Sequence, residues 1–332
     1  MAWVQAQVAC LLRETTELSV TRRSGWAICL VVCAALFCAQ AFSAPTWEQV
    51  QAFYAYDASA PLDAEAEEPV DSGILSVQTV RFRSVNDEMV PATVSRPKTE
   101  GKVPVILFLH GLGGSRADSA KVAPLLAGQG VAIVSIDAAH HGDRRAEGGA
   151  MFSADLEMMV KGFRQTIIDN RRALDYIASR DDLDAERVVL VGVSMGGILG
   201  SMVASLDERI LAPFLIVGGG DLVGILQTSE IGVAQEIRQQ LQSSEAVREQ
   251  AAFIEPTNFI ANLSPRPLLM LNGRDDKIVP AAAGEALFAA AQEPKRIVWY
   301  EGGAMEGHMP PFDVLIPMLA GFLKDQGLIA GP

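Results

Sequence analysis

Six uninterrupted apolar runs separated by helix-prone segments constrain this chain more than any other feature. They are VPVILFLHG (103–111), VAIVSIDA (131–138), RVVLVGVS (187–194), LAPFLIVGGG (211–220), PLLMLNG (267–273) and RIVWYEGG (296–303). A strand with one wet face alternates apolar and polar residues, whereas a strand covered on both faces reads as a continuous apolar run. Helix-like segments lie between or after the runs at 115–129, 156–180, 196–206, 281–292 and 312–325. The second of these shows helical recurrence at Phe163, Ile167, Ile168, Leu174 and Ile177. Strand and helix in alternation imply an α/β fold: a mostly parallel central sheet, wound with right-handed crossovers, with helices on both faces. Ahead of it, ILSVQTVRFRS and MVPATVSRP alternate apolar and polar around Asn86-Asp87, the pattern of an antiparallel hairpin.

These signals place a single domain at 74–330. Residues 42–73 read as an acidic, Ala- and Pro-rich lead-in held in solvent (DASAPLDAEAEEPVDSG). Residues 221–262 break the rhythm with a polar, helix-prone stretch, VAQEIRQQLQSSEAVREQAAF. We expect a small helical insertion there, lying over the carboxyl edge of the sheet as an active-site cap. The 27 Lys and Arg against 40 Asp and Glu give a net charge of -13, without basic clusters, which argues against nucleic acid as a partner.

At the amino end, Arg22 and Arg23 precede an apolar run from Trp26 to Phe37 and then small residues. That order is a secretory signal peptide, residues 1–41, cleaved after Ala41 with Ala39 at the other small-residue position. The apolar core is short for a membrane span of about 20 residues, so no stable span is expected after cleavage. The protein is expected to be periplasmic or secreted. The stretch before Arg22 is long for such a signal, and we read Met1 as a mis-assigned start, with translation beginning near Val20. All four cysteines (Cys10, Cys29, Cys33 and Cys38) fall in or near this leader. Disulfides, thiolate zinc sites and a cysteine nucleophile are therefore excluded from the rest of the chain.

The chemistry is announced by Gly192-Val193-Ser194-Met195-Gly196, a G-x-S-x-G motif that follows a strand and opens a helix. A serine on so sharp a turn needs glycine two residues to either side, because a side chain there would clash. The helix amino terminus behind it favours negative charge developing nearby. A serine hydroxyl still needs a base, held in place by a third group. Of the four histidines, His110, His140 and His141 precede Ser194 and only His308 follows it, in a loop between the last strand and the last helix. In the chain order Ser…Asp/Glu…His, His308 is the base. The orienting carboxylate should end a strand between the two, where Asp275 and Asp276 stand side by side. The oxyanion hole would take the backbone amides of Met195 and Leu112, the latter in the glycine-rich loop His110-Gly111-Leu112-Gly113-Gly114. His110 then buttresses that loop.

Taken together, the residues resemble the α/β-hydrolase superfamily over about 74–325, in particular its dienelactone-hydrolase-like and prolyl-oligopeptidase-like esterase branches. The resemblance rests on HGLGG at 110–114, DAAHHGDR at 137–144, GVSMGG at 192–197, NGRDDKIVP at 272–280 and GH at 307–308. The family pattern G-x-x-D-x-x-V-P puts the acid on Asp276, with Gly273 and Val279-Pro280 setting the register. It also implies that His141 and Arg144 shape the site from the second loop. That loop departs from the commoner Asp-x-x-Gly-His-Gly by Ala139-His140 where Gly-His is usual.

The function so implied is hydrolysis of a small-molecule carboxylic ester through an acyl-enzyme, with no metal or organic cofactor. An amide or peptide hydrolase and an acyltransferase are the catalytic alternatives. A non-catalytic binding protein on the same fold is the rival from another class.

Overall fold

The computed structural model describes residues 44–146, 149–153, 155–228, 236–237, 239 and 249–330. The leader read over 1–41 lies outside them, as does most of the polar stretch at 229–248. The six apolar runs supply β5 (Val103–Leu109), β6 (Ala132–Ile136), β7 (Leu183–Val193), β8 (Ile210–Ile216), β9 (Leu268–Gly273) and β10 (Lys295–Tyr300). They pair in parallel in the order β6-β5-β7-β8-β9-β10. The expected hairpin is β3 (Leu75–Arg83) and β4 (Met89–Pro97), in register from Leu75 opposite Pro97 to Arg83 opposite Met89. It joins the sheet through the antiparallel pair β4/β6. Two short strands, β1 (Glu65–Ala66) and β2 (Val70–Ser72), pair antiparallel with β3 and complete ten strands.

The continuous apolar runs arise because both faces of each strand are covered. Along β5, Val105, Leu107 and Leu109 enter one core while Ile106 and Phe108 enter the other. The first core is roofed by α1 (Trp47–Phe53), α3 (Leu156–Ala178), α4 (Met195–Leu206) and α6 (Ala281–Ala290). The opposite face is covered by α2 (Ala123–Ala127) and α7 (Phe312–Asp325). Among the described residues no helix is long and apolar enough to cross a membrane.

Two expectations need correction. The helix expected over 115–129 is instead a 3-10 turn, Arg116–Lys121, followed by the five-residue α2. Pro124 contributes: it has no amide hydrogen to donate and is best accommodated in a helix's first turn, where it sits in α2, so the helix restarts around it. Gly128 and Gly130 then end it. The segment at 42–73 is not wholly solvated either. Thr46 closes a capping box on α1, and Val50 and Tyr54 are completely buried. Arg172 of α3, 2% exposed in its side chain, donates to the carbonyls of Ala58, Ala60 and Pro61 and pairs with Asp175 at 2.8 Å. A buried guanidinium is stable only when its donors are satisfied, so this strap is bound to the body of the domain. The acidic residues at 63–72 do remain exposed.

The 221–262 insertion is helical where it is described. It comprises α5 (Leu222–Thr228) and 3-10 turns at Ala252–Ile254, Pro256–Asn258 and Ile260–Leu263.

Candidate active site

Strand β7 delivers Ser194 to the carboxyl edge of the sheet, in a backbone conformation (φ 55°, ψ -118°) that few residues other than glycine adopt. The flanking glycines make this turn possible. A Cβ on Gly192 would fall 2.2 Å from the Gly196 carbonyl oxygen, and one on Gly196 would fall 2.1 Å from that of Leu109. The Ser194 amide donates to the Ile216 carbonyl at 2.8 Å, tying the turn to β8.

His308 reaches Ser194 from the other end of the domain. Its Nε2 lies 2.9 Å from Ser194 Oγ, and its Nδ1 lies 2.8 Å from Asp276 Oδ2. The carboxylate partner makes Nδ1 the protonated nitrogen, so Nε2 is left to accept from the hydroxyl. Asp276 is held in turn: Oδ1 accepts from the amides of Ile278 at 2.8 Å and Val279 at 3.0 Å. All three side chains are nearly buried, whereas Asp275 points into solvent. The choice between the two aspartates is therefore geometric, and only Asp276 meets the histidine.

Tyr300, at the end of β10, escaped the sequence reading. Its hydroxyl lies 2.9 Å from the Gly307 carbonyl and 2.8 Å from that of His308, anchoring the loop that carries the imidazole. Burial, reinforced by the Asp276 charge, raises its pKa well above the usual phenol range, so it stays a donor. Its only cue in the sequence is an aromatic residue closing the RIVWY strand.

The loop after β5 passes close to the serine. A Cβ on Gly111 would lie 3.5 Å from Ser194 Cβ. Among the described residues, neither the Leu112 nor the Met195 amide makes a backbone hydrogen bond. His110, 2% exposed, sits behind the loop: Nδ1 donates to the Gly111 carbonyl at 2.8 Å and Nε2 accepts from the Ala138 amide at 3.1 Å. His141 packs with its ring 5.2 Å from that of His110 and donates from Nδ1 to the Ala139 carbonyl.

Arg144 is placed away from the serine. It binds Asp169 of α3 at 2.6 Å, the Asp137 carbonyl at 3.0 Å and Glu88, so it ties the loop down and does not line the cavities at Ser194. The loop's departure from the family pattern also falls one residue later than Ala139-His140 suggests. Aligned on Asp137 and Gly142, the missing glycine is at His140, which itself takes the left-handed conformation at φ 62°.

Burial lowers the pKa of both His110 and His141. The unfolded chain then takes up protons before the folded one does. Stability is complete above the unfolded value of about 6.5 and is lost as pH falls through it toward the lower folded values. Protonation of His110 would also set its Nε2–H against the Ala138 N–H and loosen the Gly111–Leu112 loop. We expect the urea midpoint to fall between about pH 7 and about pH 5, and less steeply in His110→Gln. Equal slopes for the two proteins would refute the assignment.

Two apolar spaces open on Ser194. One is a small, partly enclosed cavity of about 40 Å³ walled by Phe152, Met159, Met195, Ile198, Leu222 and Ile225. The other is a groove of about 410 Å³ between α2 and α7, floored by the sheet. Among the described residues no cluster of His, Cys, Asp or Glu is placed to hold a metal ion.

The family model "Acetyl xylan esterase (AXE1)" matches residues 47–315. Esterase YjfP of Escherichia coli (strain K12) is 26% identical over 198 residues, which are 58% of this chain and 77% of that protein. Among solved structures, the acetyl xylan esterase from Paenibacillus sp. R4 superposes with a TM-score of 0.69 at 21% identity, covering 86% of this chain and 93% of its own. Acetyl xylan esterase 1 from Thermoanaerobacterium sp. JW/SL YS485 does so with 0.70 at 21% identity, covering 87% and 96%. At that identity the likeness establishes the α/β-hydrolase fold.

Proposed function

The chain belongs to the acetyl xylan esterase family, and we propose that it is an exported serine esterase working through an acyl-enzyme. The observation that carries the mechanism is the unbroken chain of contacts from Ser194 Oγ through His308 to Asp276, at 2.9 and 2.8 Å. As Oγ attacks the ester carbonyl, Nε2 takes the hydroxyl proton, and the carbonyl oxygen becomes an oxyanion received by the Leu112 and Met195 amides. Asp276 holds the imidazole in the accepting tautomer and stabilises the imidazolium. The C–O bond to the alcohol then breaks as Nε2–H protonates the leaving oxygen. Water, activated by the same nitrogen, releases the acid and restores Ser194. The positive dipole end of α4, directly behind the serine, favours the same negative charge. Export is proposed from the order of charge, apolar core and small residues in 1–41.

One measurement tests both parts. Protein recovered from the exported fraction of the producing cell is treated with a fluorophosphonate probe and weighed intact, then by peptide. The expected result is a chain beginning at Phe42 with the probe on Ser194. Folded, exported protein that takes no label would rule out the serine mechanism, and an unprocessed leader would rule out export.

A further inference from the structure

The two spaces at Ser194 differ in size and in their relation to the proton donor. His308, Met305 and Met309 line the groove and Met195 lines the smaller cavity, while Leu112 and Ser194 border both. In the collapse of the tetrahedral intermediate the bond between carbonyl carbon and alcohol oxygen breaks, and that oxygen takes its proton from Nε2. This places the leaving alcohol on the His308 side, in the groove, and the acyl group in the smaller cavity. At about 40 Å³ that cavity holds only a few water-sized groups, since one water needs roughly 10–15 Å³.

The groove is ten times larger and almost wholly apolar. Its floor is the sheet, with Phe108, Ile133 and Val191 at its base, each 9% exposed or less. Three of its residues are large apolar side chains left in solvent: Phe312 at 76%, Met305 at 62% and Leu112 at 46% exposure. Exposed apolar groups gathered around one opening signal a ligand surface more than scattered ones do. Among the described residues, the only polar side chains on it apart from Ser194 and His308 are Asp118 and Lys121, which pair with each other at 2.7 Å. A sugar would leave its hydroxyls without partners there, at a cost per unpaired group.

We propose that this site hydrolyses short-acyl esters of bulky apolar alcohols, phenols included, with the alcohol seated between α2 and α7. The inference rests on the serine-esterase reading above. It is tested with four substrates: 1-naphthyl acetate, 1-naphthyl octanoate, ethyl acetate and peracetylated xylobiose. The variants are Phe312→Ser, at the exposed mouth, and Ile316→Trp, which fills the groove. We expect kcat/KM for 1-naphthyl acetate to exceed that for the octanoate and for the xylobiose ester by about tenfold or more. Each variant should lower it by about tenfold while leaving ethyl acetate, whose alcohol is too small to reach that far, unchanged. Equal turnover of peracetylated xylobiose and 1-naphthyl acetate, or variants that slow ethyl acetate just as much, would overturn the inference while Ser194 still takes the fluorophosphonate. Failure to turn over any ester, with Ser194 unlabelled, would bring down the esterase reading and this inference with it.

Discussion

We expect Ser194→Ala to abolish ester turnover, with kcat falling by about 10⁶, in a protein that melts at the wild-type temperature. The substitution removes one oxygen from a side chain 9% exposed and leaves the backbone with the same positive φ, so the fold has no reason to respond. The amides of Leu112 and Met195 and both apolar spaces remain, and they set the residual rate. Serine, histidine and aspartate act as one unit in this mechanism. Adding His308→Ala to Ser194→Ala should therefore cost almost nothing further. Steady-state kinetics on a p-nitrophenyl ester, with circular dichroism to establish folding, make the measurement. A Ser194→Ala protein with several per cent of wild-type activity would mean that the nucleophile lies elsewhere.

Asp276→Asn is expected to lower kcat by about 10⁴, and Asp275→Asn to stay within about twofold of wild type. The asymmetry follows from the contacts. In the substituted residue the amide oxygen keeps the bonds from Ile278 and Val279, which fix one side of the group. The amide nitrogen then faces His308 Nδ1, 2.8 Å from the carboxylate oxygen it replaces. Two donors cannot share that gap, so the imidazole moves its proton to Nε2 and can no longer accept from Ser194. Asp275 has an exposed side chain and no part in this relay. A large loss from Asp275→Asn with Asp276→Asn active would reverse the assignment.

Much of the architecture was legible because burial on both faces writes itself into a strand as a continuous apolar run. The six central strands, the hairpin and the helices at 156–178, 195–206, 281–290 and 312–325 all fall where those patterns put them. The family match names an acetyl xylan esterase branch that the motifs alone did not single out. The failures have local causes. A proline inside an otherwise helical stretch cut the expected helix at 115–129 down to five residues of α2. The amino-terminal strap was obscured by its acidic composition, because its fixing groups, Arg172 and Tyr54, contact residues more than a hundred positions away.

What the sequence by itself determined is the kind of object and the sharp turn that carries Ser194. Periodicity encodes which faces are covered, and Gly192 and Gly196 encode a turn too tight for side chains. The family pattern pointed to Asp276, and the tertiary structure brings that carboxylate to His308. Only the tertiary structure decided that Tyr300 anchors the histidine loop and that Arg144 stands apart from the serine. It also decided that an apolar groove opens between α2 and α7 beside Ser194. The physical reason is the range of the interactions. Backbone preference and burial act over a few residues and are written locally. A side chain's partner depends on how strands far apart in the chain are brought to one edge of the sheet.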